Sequence, residues 1–317
     1  MVKVLITGIT GFAGSYLAEY LLNQGHEVFG ALRWRSRMEN IEHFKNRLKL
    51  INIDLKDTHN VTSCLKSIQP DEIYHLAAQS FVPTSFEAPN ETLTNNITTT
   101  VNVLEAMRSL PNSPKIHIAG SSEEYGMVFP HELPLTEASP LRPLSPYAVS
   151  KVATEKLALQ YHRSYGIKAV VTRAFNHEGP RRGEVFVTSN FAKQIAEIEK
   201  GLKEPVIYVG NLEAQRDYSD VRDIIVAYHL SLQKCDFGEV YNVCSERSWK
   251  IQAVLDYLLS QSKVKIRVET DPKRLRPSDV ELLQGNCAKF KEKTGWQPKI
   301  PFEQTLMDTL DYWRQRV

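Results

Sequence analysis

KVLITGITGFAG, residues 3–14, decides the fold. Lys3 to Thr7 is a short, β-branched apolar run of the kind that forms a strand buried on both faces. Gly8, Gly11 and Gly14 follow at three-residue spacing, and the amphipathic run GSYLAEYLLNQG starts among them. Leu17, Tyr20, Leu21 and Leu22 recur at helical spacing, and Gly25 ends the helix. A strand that turns into a helix through glycines makes a phosphate site. The tight turn needs glycine, and close approach to a pyrophosphate needs a missing side chain. The helix N-terminus supplies N–H donors and positive potential. The spacing is GxxGxxG rather than GxGxxG. Close helix packing alone would also call for three glycines, so the flanking strand and helix give the pattern its weight.

Outward from this turn the alternation continues. EVFGAL, LKLINIDL, EIYHLAA, KIHIAGSS and AVVTRAFN read as strands, with NVTSCLKSIQ, TTTVNVLEAMRSL and PYAVSKVATEKLALQYHRSYG as helices between them. Strands and helices at this spacing imply right-handed crossovers, hence an α/β fold with a doubly wound parallel sheet and helices on both faces. After about residue 176 the pattern breaks into shorter pieces rich in Gly, Pro and Arg. DYSDVRDIIVAYHLSLQ to VYNVCS reads as a helix and strand returning to the sheet. The expected division is 1–175 with about 217–245 as a nucleotide-binding domain, and 176–216 with 246–317 as a smaller lobe.

Composition narrows the function classes. A formal net charge of +2 over 317 residues makes no electrostatic case for nucleic acid. The apolar runs fall far short of the ~20 residues a membrane span needs. Cys64, Cys235, Cys244 and Cys287 lie far apart without metal-ligand spacing, so they read as reduced structural thiols and no metal site is expected. A cytoplasmic enzyme or binding protein fits these facts.

The nucleotide end carries further signals. Strand two runs into ALRWRSR, with Arg33, Arg35 and Arg37 and no acid before Glu39. A cation there suits the extra phosphate of NADP; a solvated basic loop is the plain alternative. Asp54 and Leu55 end strand three where an adenine could lie, and the small Ala77 and Ala78 after strand four let a cofactor backbone pass. At the other end, Tyr147 and Lys151 in SPYAVSK stand four apart and share a helix face. A lysine so placed can lower the tyrosine pKa by its charge and make the phenol a usable acid/base.

On GITGFAG, HLAAQ, GSSEEYG and SPYAVSK the chain resembles the extended short-chain dehydrogenases/reductases that act on nucleotide sugars. AAQSFVPTSFEAP, RAFNHEGPRRGEVFVT, GNLEAQRDYSDVRD and RLRPSDVELLQGN resemble the GDP-sugar branch. Its GDP-mannose 4,6-dehydratases are matched most, and its GDP-4-keto-6-deoxymannose reductases nearly as closely. The resemblance covers essentially the whole chain. It implies a Rossmann-type sheet with a C-terminal substrate-binding lobe, bound NADP, a GDP-sugar substrate and a homodimer or homotetramer.

Residue by residue, the resemblance implies that Ser121 hydrogen-bonds the sugar O4, Tyr147 and Lys151 form the acid/base pair, and Glu123 removes the C5 proton. It places Thr10, Phe12, Leu76, Phe175, Asn176, His177 and Arg182 at the cofactor with the residues above. It places Gln79, Ser80, Ser122, Asn176, Val187, Thr188, Lys193, Arg216, Arg276 and Glu281 at the sugar nucleotide. Glu124 matches a position that need not be acidic and reads as a solvated or paired rim residue. The dehydratase motif often has Gln-Asp between its second and third glycines, which GITGFAG lacks; Ser121 stands for Thr, and RWRSRMENIEHF is slightly short. The first half and NHEGPRRGE favour a dehydratase, whereas VYNVCS and VKIRVETDPKRLRPSD favour a reductase. A non-catalytic nucleotide-sugar-binding protein is the remote alternative.

Overall fold

Lys3–Thr7 is β1, and every residue in it after Lys3 is buried. The computed structural model describes residues 1–274 and 280–317. Among these, the chain lays down β2 (Glu27–Leu32), β3 (Lys49–Asn52), β4 (Glu72–His75), β5 (Lys115–Ala119) and β6 (Lys168–Ala174) beside β1. It leaves for β7 (Asn176–Glu178), β8 (Val206–Val209) and β9 (Gln215–Asp220), then returns with β10 (Glu239–Val243). The order across the large sheet is β3-β2-β1-β4-β5-β6-β10, and every neighbouring pair is parallel. The winding direction reverses between β1 and β4, which opens a crevice at their carboxyl ends.

Alternation within the strands feeds two cores. Val4, Ile6, Tyr74 and Val170 pack with residues of α1 (Phe12–Asn23). Leu5, Ile73, Ile116 and Val171 pack on the opposite face with α2 (Thr58–Ile68). The chain order continues with α3 (Val82–Glu87), α4 (Pro89–Arg108), α5 (Pro146–Tyr165), α6 (Val187–Glu199) and α7 (Val221–Lys234). α4 and α5 join α2's face, and α7 joins α1's. Local chemistry sets α5: the Ser145 side chain accepts from Ala148 N, Pro146 opens the first turn, and Gly166 at φ 70 ends it.

α4 begins nine residues earlier than TTTVNVLEAMRSL suggests. Its first turns are Thr- and Asn-rich, yet Thr92, Asn96, Thr99 and Thr100 are buried. Asn96 is satisfied by the backbone of Gln79 and the hydroxyl of Ser150. A hydrogen-bonded polar face is invisible to hydrophobic periodicity.

The smaller lobe encloses a third core of Phe191, Ile195, Ile207, Val254, Leu255 and Leu306. Its other elements are β11 (Ser248–Lys250), α8 (Ile251–Ser260), β12 (Arg267–Thr270), β13 (Leu282–Leu283) and α10 (Phe302–Arg314), whereas α9 (Ala288–Thr294), expected in the lobe, packs on α7 and β10 with Phe290 in the first core. Of the stretch 217–245 expected to rejoin the large sheet, β10 does so and α7 packs against it. β9 instead pairs with β7, β11 and β13. Its buried Asp217 and Asp220 find donors there, in Ser245 and Gly285 and in Arg222 and Thr305 respectively.

Candidate active site

The crevice continues between the sheet and the lobe as a cavity of about 1510 Å³. Ligand pockets commonly run to roughly 300–1,000 Å³, so this one has room for two nucleotide-sized molecules. Its wall includes Gly8, Thr10, Gly11, Phe12, Gly14, Arg33, Asp54, Leu55, Leu76, Ala77 and Ala78. Gly8 sits at φ 73, and a Cβ there would stand 2.9 Å from Ala77 N. Thr7 Oγ1 accepts the N–H groups of Leu76 and Ala77 at 3.1 and 3.2 Å, which draws the β4 end against the turn. A Cβ on Gly14 would overlap the Gly8 carbonyl. Gly14→Ala is therefore expected to destabilise the fold by about 1–3 kcal/mol and to weaken dinucleotide binding, checked by thermal unfolding and titration calorimetry.

The basic loop after β2 divides. Arg33 lines the cavity and Arg35 does not. Ser36 N donates to Arg33 O at 3.0 Å, and Arg33 N donates to Ser36 Oγ at 3.1 Å. This turn puts Arg35 at φ 61 and sends its guanidinium onto exposed Trp34, 4.2 Å from the ring centre. Ser36 takes the place on the wall expected for Arg35.

At the ends of β5 and α5 the cavity is lined by Ser121, Ser122, Glu123, Tyr147 and Lys151. Burial pushes the Tyr147 phenol up to about 12; a hydrogen bond with Ser121 offsets part of this, and the charges of Glu123 and Glu124 add to it. Lys151 shares the helix face but makes no hydrogen bond to the phenol. Its Nζ lies 5.8 Å from the ring centre and donates to Ala119 O at 2.7 Å. Burial pulls this ammonium down to about 8. The expected lowering of Tyr147 by Lys151 is thus not the dominant effect in the free protein, where desolvation wins. Glu123 is half-buried, and among the described residues no hydrogen bond or ion pair engages its carboxylate. Glu124, expected at the rim, is fully buried. It sits in the short turn Ser122–Glu124, packed behind Ser121 rather than beside solvent.

Phe175, Asn176, His177 and Arg182 line the cavity where β6 leaves the sheet. His177 stacks on Phe12 with ring centres 6.0 Å apart, and burial pulls it down to about 4, so it is neutral near pH 7. Gln79, Ser80, Val187, Lys193 and Arg216 also reach the wall. The Gln79 amide already holds the following turn through Phe81 and Thr92. Lys193 is paired with Glu184 and with Glu197. Arg216 donates to the carbonyls of Gln215 and Val280.

Two lobe residues are not brought to the wall. Thr188 turns inward and donates to Glu178 at 2.5 Å, because that carboxyl is fully buried and needs a donor. Glu281 faces solvent while its carbonyl accepts Gln215 N in the small sheet. Arg276 lies outside the described residues. Sequence reasoning missed Asn95 and Thr99 of α4, Glu184, Phe186 and Tyr228. The four-residue spacing of Asn95 and Thr99 was a usable signal; nothing local marked the others.

The wall thus joins a glycine turn, a Ser–Tyr–Lys set and an unengaged carboxylate in one cavity. The family model for GDP-mannose 4,6 dehydratase matches residues 5–309. The chain belongs to the GDP-mannose 4,6-dehydratase family. A Yersinia enterocolitica GDP-mannose 4,6-dehydratase is 38% identical, with 96% of this chain and 91% of that protein covered. A Pseudomonas aeruginosa GDP-6-deoxy-D-mannose reductase is 33% identical over 99% of this chain and 98% of its own. The solved structure of RMD from Pseudomonas aeruginosa complexed with NADPH superposes with a TM-score of 0.86 at 32% identity, covering 100% of both chains. The Rossmann-type sheet and the extended short-chain dehydrogenase/reductase architecture follow from this membership. Among the described residues no helix is long and apolar enough to cross a membrane, and no cluster of three or more His, Cys, Asp or Glu side chains could hold a metal ion.

Proposed function

We propose that this chain is a GDP-mannose 4,6-dehydratase that keeps NADP bound through its cycle. The observation that carries the reading is Glu123, an unengaged carboxylate on the wall beside Ser121 and Tyr147. A 4-ketoreductase needs the phenol and the hydroxyl but no base at C5.

The residues present fit NADP. The glycine turn leaves no room for a Cβ at Gly8 or Gly14. Arg182 Nε is buried at the wall, 3.7 Å from Glu178, with no hydrogen-bond partner among the described residues. Gly8, Thr10, Gly11, Phe12 and Gly14 would hold the diphosphate end, and Asp54 and Leu55 the adenine. When bound, NADP would supply the acceptor for the C4 hydride of the hexose and, once reduced, the hydride donor for C6. Ser121 Oγ holds O4, and Tyr147 Oη takes its proton as the ketone forms. The ketone acidifies C5–H, Glu123 removes that proton, and the C6 hydroxyl leaves with it as water; reduction at C6 is then matched by a proton returned to C5, equal to the one Tyr147 took from O4. Lys193 and Arg216 would take the GDP diphosphate, with Asn176 and Val187 alongside. In this reading residues 1–175 carry NADP and the lobe carries the GDP-sugar. A cytoplasmic homodimer or homotetramer belongs to the same reading, and solution mass checks the assembly.

The test incubates the purified protein with GDP-mannose and no added NADPH. A 4-keto-6-deoxy product supports the dehydratase. No conversion, together with NADPH-dependent reduction of the 4-keto sugar, selects the reductase, the reading favoured by the full-length match to the Pseudomonas aeruginosa reductase.

Cofactor choice gives a separate prediction. Arg33 on the wall and the lack of an acid at the β2 end favour a 2′-phosphate. One charge-assisted contact is worth about 1.5–3 kcal/mol, so NADP should bind at least about tenfold tighter than NAD. Arg33→Ala should abolish that preference, while Arg35→Ala should leave it, since Arg35 faces Trp34. Equal affinities for NAD and NADP in the unaltered protein would defeat the assignment.

A further inference from the structure

Glu124 ends the turn Ser122–Glu124 with its side chain fully buried. Its Oε1 accepts the backbone N–H of Ser121 at 2.8 Å. Gly120 makes room for it, because a Cβ there would stand 2.8 Å from that oxygen. From α5, Lys151 Nζ donates to Ala119 O. Glu124 and Lys151 therefore both grip Ala119–Gly120–Ser121, the strand end that carries the Ser121 hydroxyl.

The second oxygen, Oε2, is buried and meets no nitrogen or hydroxyl donor among the described residues. The guanidinium of Arg173 is 3.7 Å away and turned to Glu155, to which it donates at 2.7 and 2.9 Å. Its remaining contacts are to Tyr125 Oη and the Glu137 carbonyl. Glu155 also pairs with Lys156. Arg173 is thus matched by Glu155, and Glu124 is a second buried carboxyl in the cluster. The groups facing it are Tyr147, Lys151 and Glu155 from α5, Arg173 from β6, and Ser121 and Tyr125 from its own segment. Burial and the Glu155 charge push Glu124 up to about 8, against the pull of Arg173. Burial brings Lys151 down to about 8, and Glu124 is the charge that opposes this.

We propose that Glu124 is a positioning residue for the reaction: from behind the strand end its Oε1 fixes the Ser121 backbone, and with it the hydroxyl that faces the cavity. The inference rests on the dehydratase reading for its activity assay alone.

Glu124→Gln keeps the shape and the acceptor for Ser121 N and removes the charge. Its kcat for GDP-mannose should therefore stay within about threefold of that of the unaltered protein. Glu124→Leu removes the acceptor as well, and its kcat should fall about tenfold below that of Glu124→Gln, with KM held within about twofold. Equal kcat for the Gln and Leu variants, or a raised KM that accounts for the loss in Glu124→Leu, overturns the proposal. If the unaltered protein converts no GDP-mannose, the dehydratase reading falls, and the same comparison of the Gln and Leu variants is read in NADPH-dependent reduction of the 4-keto sugar, which also needs the Ser121 hydroxyl in place.

Discussion

Tyr147→Phe is expected to lower kcat for GDP-mannose about 10²–10⁴-fold, the range associated with loss of a positioned general acid/base. The phenol is on the cavity wall and hydrogen-bonds Ser121. Among the described wall residues it is the group so held that can exchange a proton with O4. The ring is otherwise buried, 8% exposed, and phenylalanine keeps that packing, so the thermal midpoint should stay close to that of the unaltered protein. The free phenol, pushed up to about 12 by burial, is a poor base. Productive proton transfer therefore requires the bound state to lower it, with protonated Lys151 the nearest source of positive charge on the same helix face. Activity should accordingly fall as pH rises through about 8, where Lys151 loses its proton. Near-normal turnover by the Phe variant would sink the assignment.

Glu123→Gln should split the reaction in two. The C4 hydride would still leave, so a single turnover should show NADPH absorbance rise and persist, while water loss from C5 and C6 stalls. Overall 4-keto-6-deoxy product should fall by about 10²-fold or more. The amide retains the size of the side chain and its place on the wall, and no protein partner is lost because the carboxylate engages none among the described residues. Full dehydration by the Gln variant would mean that the carboxylate is not the base. A 4-ketoreductase, by contrast, should tolerate the change.

Much of this site is readable along the chain because it depends on short-range chemistry. Gly8, Gly11 and Gly14 after an apolar strand specify a turn that admits a phosphate, and Tyr147 and Lys151 four apart must share a helix face. Ser145, Pro146 and Gly166 likewise mark the ends of α5 by their own backbone preferences. β9 was harder: its buried Asp217 and Asp220 acquire sense only from Ser245, Gly285 and Thr305, far along the sequence.

Charged and hydroxylic side chains show the same limit. Arg33 and Arg35 are equivalent in the sequence, and a single turn sends one to the cavity and the other onto Trp34. Thr188 was a ligand candidate until Glu178 claimed its hydroxyl. Glu123 and Glu124 are adjacent and chemically identical, yet one reaches the cavity and the other is sealed among Ser121, Arg173 and Glu155. The sequence by itself determined the parallel sheet, the dinucleotide turn and the shared face of Tyr147 and Lys151, since periodicity, turn chemistry and i,i+4 spacing act between near neighbours. Only the tertiary structure decided which acid lost its water, because desolvation depends on groups that folding brings together from distant parts of the chain.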